Sequence, residues 1–136
     1  RTIDVKIFDN KSDTYEIESE LNDSLVRQFL IDSRLKIASV EVDCILTGVI
    51  KAYENKIVSF NVEEAVDEYE VSIAYDIDFF DNVNSQTLWK AENAIIRKKY
   101  YPNSTDDLKI KTEEEARQEI FEDIFKKIME NTLEKW

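Results

Sequence analysis

From residue 69 to residue 79 the chain alternates without a fault. Tyr69, Val71, Ile73, Tyr75, Ile77 and Phe79 fall on one side, and Glu70, Ser72, Ala74, Asp76 and Asp78 on the other. A period of two with one apolar and one polar side predicts a strand that covers a core on one face and meets water on the other, the habit of antiparallel sheets. A shorter alternation opens the chain, with Ile3, Val5 and Ile7 on one face of residues 2–8. The period then changes. Ile17, Leu21, Leu25, Val26, Phe29 and Leu30 recur at helical spacing, so residues 13–31 read as an amphipathic helix. Asp13 or Thr14 is placed to cap it, and Asp13 with Glu16 has the spacing of a capping box. A second box, Thr112-x-x-Glu115, precedes a wide stripe of Ala116, Ile120, Phe121, Ile124, Phe125, Ile128, Met129 and Leu133 that runs to Trp136.

The remaining segments connect these. Leu35-Lys-Ile37 reads as a short strand, and the main strand that follows starts at Cys44 and reaches about residue 53. Ile57, Phe60 and Val62 suggest that this strand continues past a bulge to a turn near residues 61–65. Residues 81–85 turn the chain again, and residues 87–99 form a fourth strand whose core side takes Trp89, Ala91 and Ile95, although Leu88, Ala94 and Ile96 make its other side apolar too and leave the parity open. Strand, helix and strand at this spacing make a βαβ unit with parallel strands and a right-handed crossover. The order is β-α-β-β-β-α. The fold class is therefore α+β: a two-layer sandwich with two helices on one face of a four-stranded mixed sheet, in a single domain over residues 1–136.

Composition narrows the chemistry. The chain has no histidine, one cysteine, one proline and one glycine. Gly48 stands inside a strand, where its missing side chain points to a close approach and leaves no glycine for a phosphate-binding loop. Net charge is −12, shared evenly along the chain, which argues against nucleic-acid binding. Cys44 reads as a buried structural thiol. The carboxylates Asp76 and Asp78 lie on an outward polar face, residues 9–13 lack the glycine and terminal Glu of a calcium loop, and no serine has a histidine base. Neither catalysis, cofactor nor metal is expected. The chain opens at Arg1 directly on a strand pattern, so it reads as a segment of a longer polypeptide with any signal or anchor upstream. One stretch opposes the global charge: Lys90 and Arg97-Lys98-Lys99 beside Tyr100-Tyr101, a combination suited to phosphorylated amphiphiles or to protecting a strand edge.

The order of short motifs resembles a known family. Val5-Lys-Ile-Phe8-Asp-Asn10-Lys-Ser12 is followed by the helix with Leu21, Leu25 and Phe29, by Arg34-Leu35, and by Val42-Asp43-Cys-Ile-Leu46-Thr-Gly48-Val-Ile50 with Tyr53. Glu68-Tyr69-Glu-Val71, Phe80-Asp81, Leu88-Trp89 and a long last helix complete it. This is similar to the LptE family of lipopolysaccharide-assembly lipoproteins. The resemblance implies an outer-membrane protein on the periplasmic side, lipid-anchored through an upstream cysteine that is not Cys44. It further implies a plug in an LptD-like β-barrel that helps the barrel assemble and binds lipopolysaccharide. Arg97, Lys98, Lys99 and Lys90 are nominated for that ligand by local charge, with Gly48, Cys44 and Trp89 as structural residues. The opening motif is shared with TolB-N-terminal-like and curli-secretion-like envelope modules, which bind a periplasmic protein partner and have no lipopolysaccharide role. In such sequences the hairpin turns often carry glycine. Here they read Asn61-Val-Glu-Glu-Ala65 and Asn82-Val-Asn-Ser-Gln86, which requires a different turn geometry.

Overall fold

The computed structural model describes residues 1–134, so the helical stripe's expected end at Trp136 lies outside the described residues. The elements follow in the order β1 (Thr2–Val5), β2 (Asp9–Asn10), α1 (Ile17–Asp32), β3 (Lys36–Ile37), β4 (Cys44–Phe60), β5 (Val66–Asp81), β6 (Gln86–Tyr100) and α2 (Glu113–Asn131). They build one mixed, open sheet in the order β3-β1-β4-β5-β6, with β2 pairing β4 just past the end of β1. β1 runs parallel to β3 and β4, whereas β4, β5 and β6 form an antiparallel meander. The α+β class and the two-helix layer match the sequence reading. The strand number is corrected from four to six: β3 falls on the short strand read at residues 35–37 but not counted into the sheet, and β2, two residues long, carries no periodicity of its own.

Both helices cover one face of the sheet and run side by side in the same direction. Glu20 pairs with Arg117 near their starts at 3.1 Å, and the Phe29 ring meets Phe125 edge-on further along, with centroids 4.9 Å apart. Between the layers lie Ile3, Leu21, Leu25, Phe29, Leu46, Ile73, Phe79 and Phe121, all without exposed surface. α2 starts on the expected capping box: the Glu115 amide donates to Thr112 Oγ1 at 3.1 Å and the Thr112 amide donates to Glu115 Oε1 at 3.3 Å.

The box predicted for α1 does not form. The helix starts at Ile17, and Glu16 caps it in a left-handed conformation without a side-chain bond. Asn10 takes over the preceding loop instead. Its carbonyl accepts from the Ser12 amide, and its amide donates to the Thr14 carbonyl and to Glu18, each within 2.9 Å. Residues 12–14 belong to this Asx turn, and the helix starts too late for Asp13 to cap it. Leu30, counted into the apolar stripe, is 65% exposed.

Three single-residue irregularities set which side chains face the helices. Val5 pairs with Leu46 and Asp9 with Val49, so the chain spends four steps where β4 spends three. One extra residue reverses the alternation. Phe8 is consequently buried and Ile7 is 56% exposed, the reverse of the sequence expectation for Ile7. On β4 an extra residue at Lys51 separates the pairs Ile50–Tyr75 and Ala52–Ala74. On β6 the pairs Ala91–Ile77 and Ala94–Tyr75 leave one residue over near Asn93, whose φ is 55°. Trp89 and Ala91 pack toward the core as expected, but beyond Asn93 the inward set becomes Ala94, Ile96, Lys98 and Tyr100, and Ile95 points out.

The glycine-free turns are built from side chains. Asn61 Oδ1 accepts from the amides of Glu63 and Ala65, and Glu64 takes the left-handed conformation at φ 61°. Asp81 does the same for the amides of Val83 and Asn84. Asn and Asp provide by hydrogen bonding what glycine provides by lacking a Cβ.

Candidate interaction surface

Because successive strand residues point to opposite faces, the run Arg97-Lys98-Lys99 cannot form one patch. Lys98 turns toward α2 and binds Asp123 at 2.8 Å, and that hydrogen bond raises its pKa above the usual lysine value. Arg97 and Lys99 lie on the open face. There Arg97 stands 3.9 Å from Glu70 and Lys99 3.3 Å from Glu68. Glu70 also receives Lys56 from β4 at 3.4 Å, and Lys90 pairs with Glu92 at 3.3 Å. The structure thus brings Arg97 and Lys99 together, sets Lys90 on the other side of the Asn93 bulge, and puts Lys98 on the helix face. The open face is a lattice of alternating charges across β4, β5 and β6.

Asp76 has a structural use within that lattice. It stands between the bulges of β4 and β6, accepting from the Asn93 amide at 2.7 Å with Lys51 at 3.7 Å, and Lys51 donates to Asn93 Oδ1 at 2.6 Å. This outward carboxylate pins the two flanking strands.

Gly48 lies beside Cys44, Leu46 and Ile50 on the helix-facing side, but its close neighbour is the Phe8 ring and not a helix. An ideal Cβ there would overlap the ring edge and sit 2.7 Å from the Asp76 carbonyl oxygen. Cys44 has no exposed surface, and burial, reinforced by Asp81 and Asp43, pushes its thiol pKa up to about 11.

One polar cluster had no signal in the sequence, since its members are far apart along the chain. Tyr53 donates to Glu113 at 2.5 Å, and Asn55 donates to the same carboxylate at 3.0 Å while accepting from Tyr100 at 2.7 Å. Arg117 stands over the Tyr53 ring, 5.9 Å from its centroid, and reaches Glu20 and Glu113. Burial raises the Tyr53 pKa above the usual phenol value. The cluster joins both helices to β4 and β6 at the root of the β4–β5 hairpin. Past Ile57 and Tyr69 no strand among the described residues flanks the hairpin, and it carries the exposed residues Val58, Phe60 and Val62 there.

Comparison with known families decides the identity. A family model described as LptE, lipopolysaccharide-assembly, matches residues 1–132. The chain belongs to the LptE family. No curated protein matches the chain in sequence. Among solved structures it is similar to the rare lipoprotein B from Shewanella oneidensis, at 17% identity and a TM-score of 0.50, with 90% of each chain covered. It is also similar to the hypothetical protein CT253 from Chlamydia trachomatis, at 8% identity and a TM-score of 0.63, covering 93% of this chain and 94% of that one. A third is PelC from Paraburkholderia phytofirmans, solved as a dodecamer, at 12% identity and a TM-score of 0.59, covering 96% and 87%. At these identities the likenesses show a shared fold.

Proposed function

We propose that this LptE-family chain is a lipid-anchored outer-membrane protein, facing the periplasm, that fills and helps assemble an LptD-like β-barrel and binds lipopolysaccharide during delivery to the outer leaflet. The match of the family model across residues 1–132 carries this reading. The surface is compatible with it: an open sheet face of paired charges and a projecting apolar hairpin suit docking. No reaction is assigned, and the one domain acts through its surfaces.

For the ligand, Arg97 and Lys99 are the cations that one phosphate-bearing group reaches together, with Lys90 further along the same face and Lys98 committed to Asp123 on the other. A phosphate would displace Glu70 and Glu68 from these cations, exchanging one charge-assisted contact for another. At net charge −12 such a ligand is repelled at long range, so its retention rests on these local cations.

The test is purification of the full-length protein from its own envelope. A co-purifying large β-barrel and loss of lipopolysaccharide binding in R97E/K99E, with K98E closer to wild type, is the expected result. A periplasmic enzyme as the bound species would favour the interaction-module reading, and unchanged lipopolysaccharide binding by R97E/K99E would remove the site assignment.

A further inference from the structure

The end of the β4–β5 hairpin stands free of the body. β6 pairs with β5 only as far as Tyr69 opposite Tyr100, and β2 pairs with β4 only as far as Ile50, so the hairpin beyond residues 57 and 69 has no strand beside it. An isolated two-stranded ribbon is marginal in water, and one with bare apolar side chains is worse. Yet Ile57 is 50% exposed, Phe60 60% and Val62 fully. The tip is nevertheless well specified. The Asn61 amide donates to the Ala65 carbonyl at 2.8 Å, the Glu64 amide to the Asn61 carbonyl at 3.0 Å, and Asn61 Oδ1 receives two further amides. The root is fastened by Tyr53, Asn55 and Glu113. A built turn on a fixed root presenting unsatisfied apolar surface is the form of a preorganised binding element, in which little ordering entropy remains to be lost on association.

Charge selects the occupant. Residues 57–68 contain Glu63, Glu64, Asp67 and Glu68 and no basic residue. Glu68 is held by Lys99, whereas Glu63, Glu64 and Asp67 are exposed and have no cation within ion-pair distance among the described residues. A bilayer surface bearing anionic headgroups would repel these acids. A second copy docked tip to tip about a two-fold axis would set the same acids against one another. A different protein whose apolar recess is edged by basic side chains satisfies both the bare apolar residues and the acids.

We propose that the tip of the β4–β5 hairpin is a preformed docking element for a partner protein that presents an apolar recess rimmed by lysine or arginine. The inference does not require the partner to be a β-barrel. Its bare residues, Phe60 and Val62 with Glu63, Glu64 and Asp67, lie beyond the last pair of β6, and Glu68 links the tip to Lys99 at its base.

The experiment uses the full-length protein in its own envelope with a photo-crosslinking residue at position 62, alongside F60D/V62D, the charge reversal E63K/E64K/D67K, and V83D as a control at the other hairpin turn, where Val83 is 67% exposed. The expected result is a crosslink to a partner peptide rich in apolar residues and containing Lys or Arg. Recovery of that partner should fall about tenfold or more in F60D/V62D, as for a hot spot. It should also fall in the charge reversal and remain normal in V83D, with unchanged thermal melting throughout. Crosslinks only to lipid, only to a second copy, or to a partner segment without basic residues would overturn the proposal, as would wild-type recovery in both tip variants. If wild type yields a crosslinked protein partner of this chemistry but no barrel, the barrel reading fails and the docking element stands.

Discussion

Gly48 carries more consequence than its size suggests, because the space its side chain would need is filled from two directions. The Phe8 ring can shift, but the Asp76 carbonyl belongs to the backbone of the neighbouring strand. Gly48→Val should therefore cost at the upper end of the about 1–3 kcal/mol typical of overpacking. Adding Phe8→Leu should return only part of that in urea unfolding, since the carbonyl clash persists. A full return would mean that the ring alone excludes the side chain. Cys44 supplies a second measurable quantity. Its thiol ionises near 9.0 when unconstrained and at about 11 in the folded chain, so the folded state holds this proton more tightly. Its contribution is complete below pH 9 and is lost as pH rises toward 11, with a slope of about 1.4 kcal/mol per pH unit within that window. The tyrosines whose pKa values are raised start from 10.0 and add to the decline above about pH 9, but they are common to wild type and Cys44→Ala, so the difference between the two proteins reads the thiol. Unfolding free energy should therefore decline between pH 9 and 10 in the wild type and stay flatter in Cys44→Ala.

At the scale of elements, the decisive features are single residues inserted into strands. Deleting Asn93 would realign residues 94–100 with the preceding half of β6, turning Ile95, Arg97 and Lys99 onto the core and Ile96 and Tyr100 into solvent. Two charges facing an apolar layer should abolish cooperative melting, whereas Asn93→Gly, which suits φ 55° better, should keep stability within about 1 kcal/mol of wild type. If the deletion still melted cooperatively, the register of β6 would not be what orders this face. The same feature explains what the sequence discloses and what it withholds. The alternation of β5 and the α2 capping box were legible because each signal is local and repeated or paired within a few residues. The continuation of β4 past residue 53 was legible too, from Ile57 and Phe60. The inward turn of Phe8 and of Lys98 was not, because an insertion is defined only by the partner strand's count. The Asp13–Glu16 box was misleading because the helix starts later, at Ile17, with Glu16 itself as the cap. The basic stretch of the candidate site was visible as charge, but its division between faces required the bulge. The Tyr53–Glu113–Arg117 cluster required the tertiary fold.

For the whole molecule, function follows from surfaces that the fold leaves uncovered. The helix layer seals one side of the sheet, while the other side is kept wet by charge pairs, each weak singly in water. Such a face can exchange internal partners for external ones at little cost, which suits capture and release better than permanent assembly. The hairpin tip differs in carrying bare apolar side chains beside three exposed acids. A partner held at the tip by apolar contact as well as by its basic rim should therefore be released only in part as salt rises, while anything bound at Arg97 and Lys99 should leave.

The place of β1 has a mechanical meaning. It is the first strand of the chain, yet it sits inside the sheet, bonded to β3 on one edge and β4 on the other and parallel to both. Any pull transmitted through Arg1 runs along the axis of β1, across the direction of its hydrogen bonds. Such a load shears the bonds on both edges together and cannot peel them away one at a time, as a pull on an edge strand would. Four residues gripped in this way resist force out of proportion to their number.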